Sequence, residues 1–422
     1  AERHRLQQAM VEMGEALTNQ VDIGPVVTQL VERLPNLLGL HFAALYLPKG
    51  HGLERVAGPA ELPTELPIIG ILHDFLKNKG PLLRLDELAP IRLLSADVDQ
   101  LGTELGSTGV EVVGLLATTR RSVGVMLLSG KRGQTALERE EIELLRGLLN
   151  QASIALETNL LLDERARQAE FERELKIAAS IQASLLPVDI RSVDGWEVAA
   201  VCRPAREVGG DFYTELPGGL PGEHALAYGD VSGKSISGAL MMMAAHEVLN
   251  TLAVAHPDPE ELFRLANERL YSLRGDRRAG LQAGSFVALG YIAFGSSAGT
   301  LRYSLAGQPP PLLRREGASI ETLCMPNHRL PLGALKLGGH RVLEIDMRPG
   351  DLLLAYSDGV VEAQSPAGEL FGEERLARVL ADSPVHSPQA AVDHVLAEIE
   401  TFTAGHTPYD DVTLLATRRT SG

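Results

Sequence analysis

Four positions along this chain place aspartate at the margin of an apolar run: Asp211 in EVGGDFY, Asp230 in ALAYGDVSG, Asp358 in LLLAYSDGVVEA, and the pair Asp410–Asp411 in YDDVTLLA. Each run reads as a buried strand. A carboxylate at the end of such a strand is fixed in place and can still face a cleft. Several carboxylates converging there repel one another unless a cation neutralises them. Hard oxygen ligands favour Mg²⁺ or Mn²⁺ over zinc. The chemistry this suggests is that of a two-metal hydrolase, in which a metal-activated water attacks a phosphoryl group.

The elements that must position these residues lie in the second half of the chain. Residues 196–202, 225–228, 285–294, 300–306, 352–356 and 412–416 read as strands, and 237–254, 259–272, 373–380 and 388–402 as helices. Long helices among antiparallel-type strands predict an α+β domain, a β-sandwich flanked by helices, over residues 187–422. Met241–Met243 follow a glycine-rich turn at helical spacing and read as core packing.

Residues 1–155 read as a first α/β unit. It opens with a helix over 1–20, followed by strands at 41–47 and 53–57 and a helix at 68–78. A hairpin then joins 111–118 to 122–129. A long helix is expected from Thr135, with Thr135 as N-cap and Glu138 completing a capping box. It continues through a linker, residues 156–186, until Pro187 stops it. Phe171, Leu175, Ala178, Ile181 and Leu185 fall on one face of that linker. The stripe either packs on its own domain or forms a parallel two-helix seam in a homodimer, and the dimer is the reading preferred here.

Composition excludes several classes. The chain has 422 residues, is 45% hydrophobic and carries a formal charge of −16. This size and apolar content suit two or three globular domains. The acidic balance argues against nucleic acid and anionic membranes as partners. Cys202 and Cys324 make no disulfide framework, which points to a reducing, cytoplasmic setting. Neither is followed six positions later by the arginine of a cysteine phosphatase, for those positions hold Val208 and Leu330. The charged N-terminus does not resemble a secretory signal, and no run is expected to reach the ~20 apolar residues of a membrane span.

Taken together, EVGGDFY, GDVSGKSISGAL, AGQPPPLL, LPLG, YSDGVVEA and DDVTLLA resemble, in this order, the motifs of bacterial PPM (PP2C-type) serine/threonine phosphatases of the stage-II-sporulation-E/RsbU branch. The resemblance covers about 230 residues, and six ordered motifs are far more specific than any one. The segment RELKIAASIQASLLP resembles the helix preceding the phosphatase in that branch. GVMLLSGKRGQTALEREEIELLRGLLNQASIALE resembles the closing strand and helix of a GAF domain.

The PPM resemblance implies two Mn²⁺ or Mg²⁺ ions sharing Asp230, with the backbone carbonyl of Val231 as a further ligand. Asp358 and Asp410 would complete one ion's sphere and Asp211 would serve the second. The family's metal aspartate is the first of its DD motif, which leaves Asp411 second to Asp410. Catalysis would run through metal-bound water held by Asp230 and Asp358. Arg203 and Arg206, just before Asp211, could grip the phosphate or make surface ion pairs. Gly209, Gly210 and Gly229 would let the backbone approach the site without a side-chain clash. The chain departs from many relatives at Thr214, Ser235 and Gln308, positions that bear on recognition and turn geometry rather than on the metal carboxylates. His246 reads as a packed residue rather than a ligand.

The resemblance further implies a phosphoserine/phosphothreonine protein phosphatase acting on a small phosphorylated STAS-domain anti-sigma antagonist. The GAF-like unit would receive a small-molecule or protein signal. No cysteine suits a thioether-linked bilin, and His41, His51 and His73 could bind haem only if one pointed into a pocket; scattered surface histidines are the preferred reading. Two other readings stand beside this one. The chain could be a silent scaffold that binds phosphoprotein without turnover, or a small-molecule receptor acting through its first unit.

Overall fold

A computed structural model of the chain describes residues 2–18, 22–50, 52–67, 82–85, 104–133, 136–190, 193–220, 222–233, 236–275, 285–295, 299–316, 318–326, 330–336, 339–384, 386–406 and 409–420. The chain divides into two compact units, Ala1–Glu170 and Phe171–Gly422.

In the first unit, six strands form one antiparallel sheet: β1 (Ala43–Lys49), β2 (Gly52–Ala57), β3 (Glu65–Pro67), β4 (Leu82–Arg84), β5 (Val110–Ala117) and β6 (Ser122–Ser129), in the order β3-β2-β1-β6-β5-β4. Strand alternation sends β1 side chains to two cores. Leu45 and Leu47 meet α1 (Glu2–Thr18), the short helices α2 (Ile23–Val27) and α3 (Leu34–Leu38), and the start of α4 (Arg139–Leu185). Ala44 and Tyr46 join a second apolar cluster with Leu66, Val113 and Leu127. The expected 111–118/122–129 hairpin is present, closed by Thr118 N–H donating to the Arg121 carbonyl at 2.9 Å. The proposed helix at 68–78, with His73, and also His51 lie outside the described residues.

Helix α4 begins at Arg139, later than expected; Thr135 itself lies outside the described residues. Residues 136–138 are not helical, and the Glu141 carboxylate accepts from Glu138 N–H at 2.8 Å. The helix ends at Leu185, before Pro187, as the proline dictates. Its first turns bury Leu145, Leu148, Leu149, Ala152 and Leu156 in the core of the first unit. Farther along, Phe171, Ile177 and Ile181 are exposed, while Leu175, Ala178 and Leu185 are half-buried.

The second unit is the expected sandwich. One sheet has the order β14-β11-β10-β9-β8 and the other β13-β12-β15-β16-β7. The strands are β7 (Trp196–Arg203), β8 (Phe212–Pro217), β9 (His224–Val231), β10 (Val287–Phe294), β11 (Thr300–Ala306), β12 (Leu312–Arg314), β13 (Ile320–Thr322), β14 (Leu343–Asp346), β15 (Leu352–Tyr356) and β16 (Val412–Arg419). In β9, Leu226 and Tyr228 point between the sheets, whereas Ala225 and Ala227 point outward. Two helices cover that outer face, α5 (Ile236–Ala255) and α6 (Pro259–Gly275). In β15, Leu353 and Ala355 point inward. Leu352, Leu354 and Tyr356 pack outward, in one cluster with α7 (Asp358–Val361), α8 (Glu373–Asp382) and α9 (Pro388–Phe402). β8 and β12–β14 were not read from the sequence. They are short or stand at sheet edges, where the apolar alternation that marks an inner strand weakens.

Contrary to expectation, one helix among the described residues, α5, is long and apolar enough to cross a membrane by length and composition. Met241, Met242, Ala245, Leu249 and Ala253 of that helix are buried against the outer face of the β9 sheet, which accounts for its hydropathy. Met241–Met243 thus serve packing, as the spacing suggested.

Gly290 of β10 lies directly opposite Tyr228 of β9, and a Cβ there would run into the Tyr228 ring. That ring is fully buried. Gly290→Ala is therefore expected to cost about 1–3 kcal/mol in urea unfolding of the full chain. A change below about 0.5 kcal/mol would show that the ring yields.

Candidate metal and phosphate site

The sandwich delivers its acidic residues to one end. Asp230 and Val231 close β9, and Asp358 opens α7 immediately after β15. Asp410 and Asp411 precede β16, and Asp211 precedes β8. Two sheets thus contribute, and within the second the ladder between β15 and β16 runs on past Tyr356. Ser357 N–H donates to the Thr413 carbonyl at 3.0 Å, and Thr413 N–H donates to Ser357 Oγ at 2.9 Å. This pairing places Asp358 beside the Asp410–Asp411 turn.

Asp230, Asp358, Asp410, Asp411 and the Val231 backbone line one cavity of about 230 Å³. Asp211 is buried behind it, beside Asp230, and one of its oxygens, Oδ2, has no hydrogen-bond partner. Of the described residues lining the cavity, only Arg206 is basic. Arg203 ends β7, exposed and away from the cavity lining, so the two candidate arginines separate here.

The electrostatic consequence is large. Burial, followed by the charges of Asp358 and Asp410, pushes the Asp230 carboxyl from its ordinary 3.8 up to about 7. Burial and the neighbouring Asp230 hold Asp211 well above the ordinary carboxylate range, while the nearby hydroxyls of Thr413 and Ser357 pull the other way. Burial and Asp211 push the Cys202 thiol up to about 12, so it is no nucleophile at neutral pH.

Asp411 behaves differently from the other acids. Its Oδ1 accepts from Ala205 N–H at 2.7 Å, and its Oδ2 accepts from Gly210 N–H at 2.5 Å and Asp211 N–H at 3.3 Å. It anchors the segment leading into β8. Glycine is required along that segment. A Cβ on Gly209 would meet the Asp411 carboxylate, and one on Gly210 would lie 2.9 Å from the Val231 carbonyl oxygen. Gly229 instead makes room for the Phe212 ring, away from the role the sequence suggested.

The residues present fit a hard divalent cation. The donors are carboxylates and a carbonyl, one buried carboxylate oxygen lacks a partner, and the glycine segment leaves no side chain in the way. Among the described residues, no three acidic, histidine or cysteine side chains converge as a closed ligand cluster.

Other sequence candidates find ordinary roles. His246 packs edge-on to Phe212, and burial lowers its pKa. Thr214 is hydrogen-bonded to Asn250 of α5, and Gln308 Nε2 donates to the Ala288 carbonyl at 3.2 Å. Ser235 lies outside the described residues. Ser357, Gly359 and Gln182 also support the site; they lie within the YSDGVVEA and RELKIAASIQASLLP segments, but no role was read for them there. A Cβ on Gly359 would strike the Asp411 carbonyl.

Residues 221–420 match the family described as Stage II sporulation protein E (SpoIIE), and residues 22–158 match the GAF domain family. The first match holds Asp230, Asp358, Asp410 and Asp411 and begins after Asp211. The chain is 25% identical over 305 residues to protein IcfG of Synechocystis sp., covering 65% of this chain and 46% of that protein. It is 23% identical over 260 residues to phosphoserine phosphatase RsbU of Bacillus subtilis, covering 60% of this chain and 72% of RsbU. The SiaA-PP2C domain of Pseudomonas aeruginosa shares the fold, with a TM-score of 0.52 at 23% identity, over 60% of this chain and 98% of that one.

The raised carboxyls carry a pH signature. A carboxyl whose folded pKa exceeds its unfolded value lends stability that is complete below the unfolded pKa and is lost as pH rises through the folded one. With a chelator present, the melting temperature is expected to fall as pH rises from 3.8 to about 7, the window set by Asp230. Asp230→Asn should flatten that fall. Parallel curves for the two proteins would remove Asp230 as its source.

Proposed function

We propose, from the match of residues 221–420 to the SpoIIE family and of residues 22–158 to the GAF domain family, that the chain hydrolyses phosphoserine or phosphothreonine on a partner protein with the help of two Mn²⁺ or Mg²⁺ ions. The observation that carries this reading is the convergence of Asp230, Asp358 and Asp410 on one cavity beside the buried Asp211.

Divalent cations bound there would supply Lewis acidity toward water and toward the phosphoryl oxygens. The chain's own residues do the rest. Asp230, at the centre of the acidic group, would be the shared ligand with the Val231 carbonyl, Asp358 and Asp410 would flank it, and Asp211 would serve from behind. Asp411 acts as the anchor of the Gly210–Asp211 backbone rather than as a ligand of first choice. Arg206 would hold the phosphate at the cavity mouth. Phe286 and Tyr409, both exposed and both lining the cavity, would flank the substrate's phosphorylated residue.

The substrate proposed is a small phosphorylated STAS-domain anti-sigma antagonist in the cytoplasm, in line with the resemblance of residues 187–422 to the stage-II-sporulation-E/RsbU branch. Residues 1–155 would act as the sensor for a small molecule or protein, 156–186 as linker, and 187–422 as the phosphatase. The exposed Phe171, Ile177 and Ile181 on α4 support a homodimer through the linker.

The direct test is phosphate release from a phosphoserine protein across a Mn²⁺ titration. Asp358→Asn should lower turnover on the order of 100-fold or more. Equal turnover in mutant and wild type, or turnover independent of metal, would reject the reading. Arg206→Ala should raise KM roughly fivefold, with Arg203→Ala unchanged. Equal effects of the two would move the phosphate grip away from Arg206.

A further inference from the structure

We propose that Gln182 is a positioning residue for the acidic cavity. Its amide seats Gly209 and makes the cavity's shape depend on where the last turns of α4 lie. The proposal rests on the metal-dependent reading above only for its binding measurement.

Gln182 is 8% exposed, while its neighbours Ile181, Ala183 and Ser184 are exposed. A polar side chain buried on an otherwise open stretch of helix needs a partner that repays its desolvation. It has two. Gln182 Nε2 donates to the Gly209 carbonyl at 2.6 Å, and Gly209 N–H donates to Gln182 Oε1 at 3.1 Å. One side chain thereby satisfies both backbone groups of a buried glycine, as a neighbouring strand would.

The position of that glycine matters. Gly209 abuts the Asp411 carboxylate, and the next two N–H groups, of Gly210 and Asp211, are donated to Asp411. Gly210 lies against the Val231 carbonyl and Asp230 Oδ1, with no room for a Cβ. The segment is therefore pinned on one side by Asp411 and on the other by Gln182. The Asp411 pin belongs to the sandwich. The Gln182 pin belongs to α4, the helix whose earlier turns, Leu145 to Leu156, are core residues of the first unit.

Successive helical residues are turned by about 100°, so a one-residue rotation of the last turns takes the amide off Gly209 entirely. A signal that reaches the end of α4 then has a direct hold on the backbone next to Asp230 and Val231.

The test uses the full chain with Gln182→Met, which keeps length and removes both hydrogen bonds, and Gln182→Glu, which keeps the acceptor and loses the donor. Ser184→Ala, on the exposed side of the same turn, is the control. The measurements are hydrogen–deuterium exchange of residues 205–212 and calorimetric Mn²⁺ binding. Gln182→Met is expected to speed exchange at 209–211 and to weaken Mn²⁺ binding about tenfold each, with exchange elsewhere in the catalytic unit unchanged. Gln182→Glu should leave the Gly209 amide protected and still weaken Mn²⁺, and it decides the matter should the methionine variant fail to fold. Unchanged exchange and binding in a folded variant would overturn the proposal. So would acceleration spread evenly over the whole unit, which is a loss of stability and not of position. A wild type that binds no Mn²⁺ would overturn the metal reading of the cavity, and the exchange result would then judge the clamp alone.

Discussion

Electrostatic repulsion at one end of the sandwich is the constraint to which the second unit answers. Asp211, Asp230, Asp358 and Asp410 are brought together where water is partly excluded, and the cost appears in the raised carboxyls of Asp211 and Asp230. Such a cluster survives only because the remainder of the unit is strongly apolar. Three cores, one between the sheets and one under each helical layer, hold the strand ends in place regardless of what their charges prefer. The same repulsion makes the site receptive, since a divalent ion removes the cost on arrival.

One acid escapes this conflict by having donors aimed at it. Asp411 accepts from three backbone N–H groups lying some two hundred residues upstream. Charge-assisted bonds of this kind are stronger than neutral ones and need no counter-ion. Two adjacent aspartates thus do different work. Asp410 presents charge to the cavity, and Asp411 fastens the segment before β8 against the segment before β16.

The inner architecture was legible because alternation and length are strong signals on inner strands. β9, β10, β15 and β16 carry apolar side chains on both faces, and their runs stood out. The edge strands β13 and β14 expose one face and did not. Asp230, Asp358 and Asp410 were legible as a group because strand ends and glycines mark them. The anchoring role of Asp411 was not, since it depends on backbone donors that pattern cannot locate. Gln182 was invisible for a related reason. A glutamine on a polar helix looks like solvent-facing surface until the fold brings Gly209 to it. The start of α4 was placed too early because a capping-box pattern at Thr135 and Glu138 is a local signal, and the helix instead opens at Arg139 behind the Glu141 cap.

Strand β16 lies in the interior of its sheet, between β15 and β7, although β7 opens the sandwich and β16 is its last strand. During synthesis β7 therefore waits for more than two hundred residues before its partner exists. In that interval the edges of β7 and β15 are unpaired, and the Asp410–Asp411 turn has yet to appear. Pairing at such long range is slow, and open edges invite association with other nascent chains. The acidic end of the domain is thus assembled last, because its Asp410–Asp411 turn and the strand that carries it are the final parts of the sandwich to be made.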